Sequence, residues 1–171
     1  FTVHGLPTVS AGADQSICSG TSVSLSATVG TGTSFSWNNS VSNNVAFSPS
    51  STNTYTVVGV DGNGCIATDE VQVTVLPLPT ISGGSTVCVD ATITLTGSGS
   101  PSTSTPWESS DPAVASVSSN GVVTGKTGGT ATITYNDANG CEQTHDVTVN
   151  ALPAVNAGTD YTICEGNQTS L

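Results

Sequence analysis

Asp61-Gly62-Asn63-Gly64-Cys65 and Asp137-Ala138-Asn139-Gly140-Cys141 decide how this chain is read. Each follows a strand-like stretch with a tyrosine, Thr54-Tyr55-Thr56-Val57 or Ala131-Thr132-Ile133-Thr134-Tyr135. Each precedes a stretch in which valine alternates with polar residues, Val71-Gln72-Val73-Thr74-Val75 or Val147-Thr148-Val149. Asn-Gly between alternating stretches is a tight hairpin turn, because both positions accept positive φ. Asn63, Gly64, Asn139 and Gly140 are therefore expected at hairpin tips. Period-two alternation also marks Val23 to Ala27 and Ile93 to Leu95, whereas no segment carries the three-to-four spacing and caps of a helix. The pattern predicts an all-β chain of antiparallel β-sandwich type.

The two hairpins belong to a longer period. Residues 1–25 and 147–171, shifted by 146 positions, agree at 13 of 25 places, and Leu-Pro recurs at Leu6, Leu78 and Leu152. This spacing divides the chain into the end of a preceding repeat (1–6), two whole repeats (7–77 and 78–151) and the start of another (152–171). The chain is expected to be a segment of a longer array. Units of about 73 residues lie near the lower limit for a self-sufficient core, so staples are expected. Of the five cysteines, Cys18 and Cys65 fall in the first whole repeat and Cys88 and Cys141 in the second. The expected disulfides therefore lie inside each repeat, with Cys164, the counterpart of Cys18, paired beyond residue 171. Disulfides point to an oxidising compartment, extracellular or periplasmic, and a cell-surface location is expected. The Leu-Pro junctions leave little slack, so successive units are expected end to end as a rod.

Composition narrows the function. Twelve acidic residues against a single lysine and no arginine give a net charge of −11, which opposes binding to nucleic acid. No apolar run reaches the roughly 20 residues of a membrane-spanning helix, so direct insertion is not expected. Serine and threonine supply 53 of the 171 residues and solvate the surface with hydroxyls in place of charges. Lys126, the lone lysine, leaves the first repeat with none, so lysine isopeptide staples are not available to every unit.

Residues 7–77 carry Pro-x-Val-x-Ala-Gly-x-Asp-x-x-Ile-Cys-x-Gly-x-x-Val-x-Leu, then Phe35-Ser36-Trp37, Thr54 to Val57 and the Asp61 to Cys65 turn. This resembles the PKD-like or Ig-like repeats of large Bacteroidota surface proteins, including gliding-motility adhesins exported by the type IX pathway. Residues 106–135, with Pro106-Trp107-Glu108-Ser109-Ser110-Asp111-Pro112 and Gly129-Thr130-Ala131-Thr132-Ile133-Thr134, are similar to the bacterial Ig-like group 2 family. The resemblance implies tandem Ig-like sandwiches on a cell surface and transfers no catalytic residue. The expected role is a shaft segment of a long secreted fibre or adhesin that projects a distal binding region. A glycan- or host-surface-binding Ig-like module is the alternative, as is a spacer in a secreted polysaccharide-degrading enzyme. Expected partners are neighbouring repeats of the same chain, with surface glycans or other cells met by regions outside this segment. Self-association of rods is weighed too, although no complementary donor strand stands in the sequence.

Trp37 and Trp107 occur once per repeat and, with Tyr55 and Tyr135, are expected as core aromatics. His4 and His145 lack Cys or His at metal-ligand spacing, and no G-x-S-x-G stands in the chain, so neither a zinc centre nor an enzyme is expected. No cofactor is expected. Calcium is the one ion weighed: Asp14 and Asp160 follow the Leu-Pro junctions, and Asp61 and Asp137 sit in the hairpins. Six to eight oxygens are needed, and Asx residues suit turns without any ion.

Overall fold

A computed structural model describes residues 1–30, 32–156, 164 and 165 of the chain. All its regular elements are strands. The first eight are β1 (Val9–Ser10), β2 (Gln15–Cys18), β3 (Val23–Ser24), β4 (Thr28–Val29), β5 (Ser34–Trp37), β6 (Ala46–Phe47), β7 (Asn53–Val60) and β8 (Ile66–Leu76). The next nine are β9 (Ile81–Ser82), β10 (Thr86–Cys88), β11 (Thr92–Thr94), β12 (Thr96–Gly97), β13 (Trp107–Ser109), β14 (Ala115–Val117), β15 (Val122–Gly125), β16 (Gly129–Asn136) and β17 (Glu142–Asn150). Among the described residues no helix is long and apolar enough to cross a membrane.

Each half of the chain builds one four-stranded sheet, in the order β2-β8-β7-β5 and β10-β17-β16-β13. The long hairpins β7–β8 and β16–β17 are their spines, and alternation builds them: Tyr55 and Val57 on β7, Val71 and Val73 on β8, point inward, as do Ala131, Ile133, Val147 and Val149 in the other half. Fully burying a side chain of this size contributes roughly 1.5–3 kcal/mol. Two cores result, sharing no residue: one around Leu25, Val57, Val71 and Val73, the other around Leu95, Val123, Ile133 and Val147. The facing layer is β1–β4 and β3–β6 in the first half, and β11-β15-β14 with β12–β9 in the second.

The fold is an all-β, Ig-like sandwich, but its sheets are not wholly antiparallel. Strand β2 runs parallel to β8, with Cys18 opposite Leu76, and β10 runs parallel to β17, with Cys88 opposite Asn150. That direction overturns the expected staples. Cys65 sits just before β8 and Cys18 lies against its far end, eleven residues away. At about 3.3 Å per residue this is roughly 36 Å, against a limit of about 7 Å between the Cα atoms of a disulfide. Cys88 and Cys141 are held apart in the same way by the nine residues of β17. The disulfide that forms is Cys18–Cys141, with Cα atoms 5.6 Å apart, and it links the two halves.

Candidate functional site: a covalent joint between the halves

The joint is made from one strand end and one hairpin. On the first side, β2 is fixed as a parallel edge by backbone and carboxylate bonds. Asp14 Oδ1 accepts the Gln72 N–H at 2.8 Å, Asp69 Oδ2 accepts the Ala11 N–H at 2.8 Å, and Ser19 N–H donates to Leu76 O at 2.8 Å. The chain then turns through Gly20 at φ 86°, with Thr21 N–H returning to Cys18 O at 3.1 Å. The strand thus ends at Cys18 on the border with the second half.

On the second side the Asp137 to Cys141 turn presents its cysteine. Asp137 is 7% exposed, and its Oδ1 accepts from the N–H groups of Asn139 (2.9 Å) and Cys141 (2.8 Å). Gly140 N–H donates to Asp137 O at 3.2 Å, and Asp137 N–H to Cys141 O at 2.9 Å. The carboxylate therefore ties down the two amides that the turn leaves unpaired. Of the hairpin-tip residues, Gly64 and Gly140 adopt φ of 81° and 80°, whereas Asn63 and Asn139 do not take positive φ. The expected two-residue turn is replaced by a longer one with a single left-handed glycine, because the aspartate side chain holds the preceding residues in a right-handed turn. No neighbour crowds Gly64 or Gly140, so the backbone angle alone calls for glycine there.

The first half repeats this turn bond for bond. Asp61 Oδ1 accepts from Asn63 N (2.8 Å) and Cys65 N (2.9 Å). The Cys65 N–H, first among the causes, lowers the Asp61 carboxyl below its ordinary 3.8, and nearby His4 adds a small push in the same direction. Burial, followed by the charge of Asp137, raises the Tyr135 hydroxyl.

The other expected residues fall as follows. Tyr55 and Tyr135 are core aromatics at 4% and 2% exposure. Trp37 and Trp107 are only half-buried at the margins of the two cores, Trp37 donating from Nε1 to Asn43 Oδ1 at 3.2 Å and Trp107 lying 4.7 Å from the Tyr135 ring. The tyrosines take the centre because β7 and β16 are interior strands, flanked on both sides, while β5 and β13 are sheet edges. Trp107, Tyr135, Leu95, Pro101 and Asn120 line an open cleft of about 260 Å³, and Asn39, Val41, Phe47 and Tyr55 line another, also open, of about 470 Å³. Asp14, Asp61 and Asp137 each spend their carboxylates on backbone N–H groups, and among the described residues no three of His, Cys, Asp and Glu gather to hold a metal. Asp160 lies outside the described residues. His145 sits on β17 with Nε2 3.3 Å from Gly84 O. Cys164 is exposed and unbonded.

With the strand orders and the joint established, the chain can be set beside known proteins. Residues 71–149 match the bacterial Ig-like domain (group 2) family. That match starts on β8, seven residues before Leu78, and runs through β17 to Val149. No curated protein matches the chain. Among solved structures, the N-terminal eight Ig domains of Down Syndrome Cell Adhesion Molecule align with 86% of this chain at 17% identity and a TM-score of 0.54. The chain spans only 28% of that structure. A C-terminal fragment of intimin, in complex with the intimin-binding domain of its translocated receptor, aligns with 69% of the chain at 22% identity and a TM-score of 0.40, over 51% of the fragment's length. An I-band fragment of titin aligns with 87% at 13% identity and a TM-score of 0.43, over 66% of its length. The first of these likenesses shows the Ig fold.

Proposed function

We propose that this chain is a segment of the shaft of a long secreted surface fibre or adhesin, in which residues 7–77 and 78–151 are consecutive Ig-like domains and the unit beginning at Leu152 is the next. The observation that carries this reading is the Cys18–Cys141 bond, which fastens the end of one sandwich to the hairpin of its neighbour across the Leu-Pro border. A bond in that place fixes two modules end to end and adds nothing to a pocket. The separate cores support two modules. The resemblance of residues 7–77 to repeats of Bacteroidota gliding-motility adhesins supports a secreted, cell-surface location, with neighbouring repeats as the immediate partners and the distal binding done elsewhere. Small-angle X-ray scattering tests the reading. A globular chain of this length has a radius of gyration of about 15–16 Å. The proposed end-to-end pair, with strands as long as the eleven residues of β8, requires about 20 Å or more. A value near the globular one overturns the shaft.

A further inference from the structure

The joint has two unfinished copies. The turn at Asp61 to Cys65 matches the one at Asp137 to Cys141 in its hydrogen bonds: Gly64 N–H to Asp61 O at 3.1 Å and Asp61 N–H to Cys65 O at 3.1 Å stand where 3.2 and 2.9 Å stand in the bonded turn. The strand end at Cys88 matches that at Cys18 as closely. Val89 N–H donates to Asn150 O at 3.0 Å and Ala91 N–H to Cys88 O at 3.1 Å, and Asp90 takes the left-handed φ of 65° that Gly20 takes in the first half. Yet Cys65 and Cys88 carry free thiols, and each is more open than its bonded counterpart: Cys88 is exposed where Cys18 is half-buried, Cys65 half-buried where Cys141 is buried.

The register supplies a second, independent pointer. Cys18 pairs with Leu76 and Cys88 with Asn150, in each case the residue two places before the leucine of a Leu-Pro junction. The corresponding residue at the first junction, Leu6-Pro7, is His4. A strand-end cysteine of a preceding unit, held in the same register, would therefore lie beside His4.

We infer that Cys65 and Cys88 are open halves of the same bridge, Cys65 taking the strand-end cysteine of an Ig-like unit before residue 7 and Cys88 the hairpin cysteine of the unit that opens at Leu152. This rests on the tandem reading proposed above. Each bridge forms by exchange with the disulfide of an oxidised dithiol protein. Two S–H bonds and the carrier's S–S bond break, one S–S bond forms between the units, and both hydrogens end on the carrier's sulfurs. Because Cys88 lies between Cys18 and Cys141 in sequence, successive bridges would close overlapping loops, each unit sharing a bond with the unit on either side.

Residues 152–171 align with 6–25, so the whole chain followed in frame by its own residues 26–171 continues the array in phase. The Cys65 of the appended part then serves as the hairpin cysteine for Cys88, and Cys65→Ser in the first part with Cys88→Ser in the appended part leaves each of these two cysteines in a single copy. After alkylation of free thiols and digestion without reductant, mass spectrometry should find Cys88 joined to that appended Cys65, beside the Cys18–Cys141 bond. In a Cys88→Ser variant the appended Cys65 should change from fully bonded to fully alkylated while Cys18–Cys141 persists. Alkylated Cys88, or Cys88 joined to Cys141 or to any other cysteine, overturns the inference. Scattering from the same polypeptide separates the two proposals: an elongated particle with Cys88 alkylated leaves the shaft standing without the bridges, and a compact one with Cys88 bonded does the reverse.

Discussion

The two halves agree on one face and part company on the other. Sheets β2-β8-β7-β5 and β10-β17-β16-β13 share the relative order of their strands, the parallel edge, the hairpin and even the burial pattern of β7 and β16. Opposite them, the first half has two ladders only two residue pairs long, while the second closes β11-β15-β14 into a three-stranded sheet. The buried tyrosine meets a different partner in each: Tyr55 stands edge-on to Phe47 at 5.1 Å, Tyr135 lies against Trp107 at 4.7 Å. What recurs is the sheet that carries both parts of the joint. The facing sheet is free to differ because it supplies core volume and no part of the bridge.

The comparison can be broken most forcefully at the bridge. A disulfide closing a loop of sequence separation 123 restricts the unfolded chain by about 5 kcal/mol on chain-entropy grounds. Cys18→Ser should therefore lower the combined stability of the halves by an amount of that order, and denaturant unfolding followed at both tryptophans should resolve into separate transitions. A single unchanged transition would show that the halves are coupled by contacts and not by sulfur. Next in size is the core. Ile133→Ala, removing a side chain with no exposure, should cost about 2–5 kcal/mol and shift the Trp107 transition while leaving Trp37 in place under reducing conditions. Equal shifts at both tryptophans would mean that the cores are not independent.

Acid sharpens the contrast further. Asp69 is lowered from 3.8 chiefly by the Ala11 N–H, and Asp61 is lowered by its turn. A carboxylate with a depressed folded-state pKa contributes stability above its unfolded value and loses it as pH falls through the folded one. The first half should accordingly weaken below about pH 4. Asp69→Asn should flatten that acid response, read from Trp37 fluorescence between pH 5 and pH 2.5; an unaltered response would assign it to other carboxylates. The smallest effect is expected at Asp90, where a side chain occupies the left-handed backbone that Gly20 occupies in the other half. Asp90→Gly should gain about 0.5–1 kcal/mol in thermal unfolding of the second half, and a loss would show that the aspartate side chain is needed there.

Alternation of valine with threonine made β7, β8, β16 and β17 legible before any coordinates, since period two is a local property of the chain. The Asp-x-Asn-Gly-Cys turn was legible for the same reason, apart from which residue takes positive φ: that depends on where the aspartate oxygen points. The joint was harder to foresee. Strand β2 is four residues long, and nothing in Gln15-Ser16-Ile17-Cys18 states whether it runs with β8 or against it. The partner of Cys18 depends wholly on that direction. An antiparallel β2 would have carried Cys18 toward Cys65; the parallel one delivers it to the neighbouring hairpin. The distances from each cysteine to the Leu-Pro border held no warning, because strand direction and not sequence spacing sets which sulfurs meet.

The bridge also redraws the route by which a pull on the two ends would travel. The shortest covalent path from Phe1 to Leu171 runs through 18 residues, crosses the Cys18–Cys141 sulfurs and leaves through 31 more, so residues 19–140 carry no tension at all. Even with every strand torn from its sheet the ends could separate by only about 170 Å, where an unbridged chain of this length could reach about 580 Å at roughly 3.4 Å per residue. Hairpin β7–β8, strand β16 and most of both cores lie in the slack loop, so drag on the fibre would reach sulfur before it could draw the folded sandwiches out to full length.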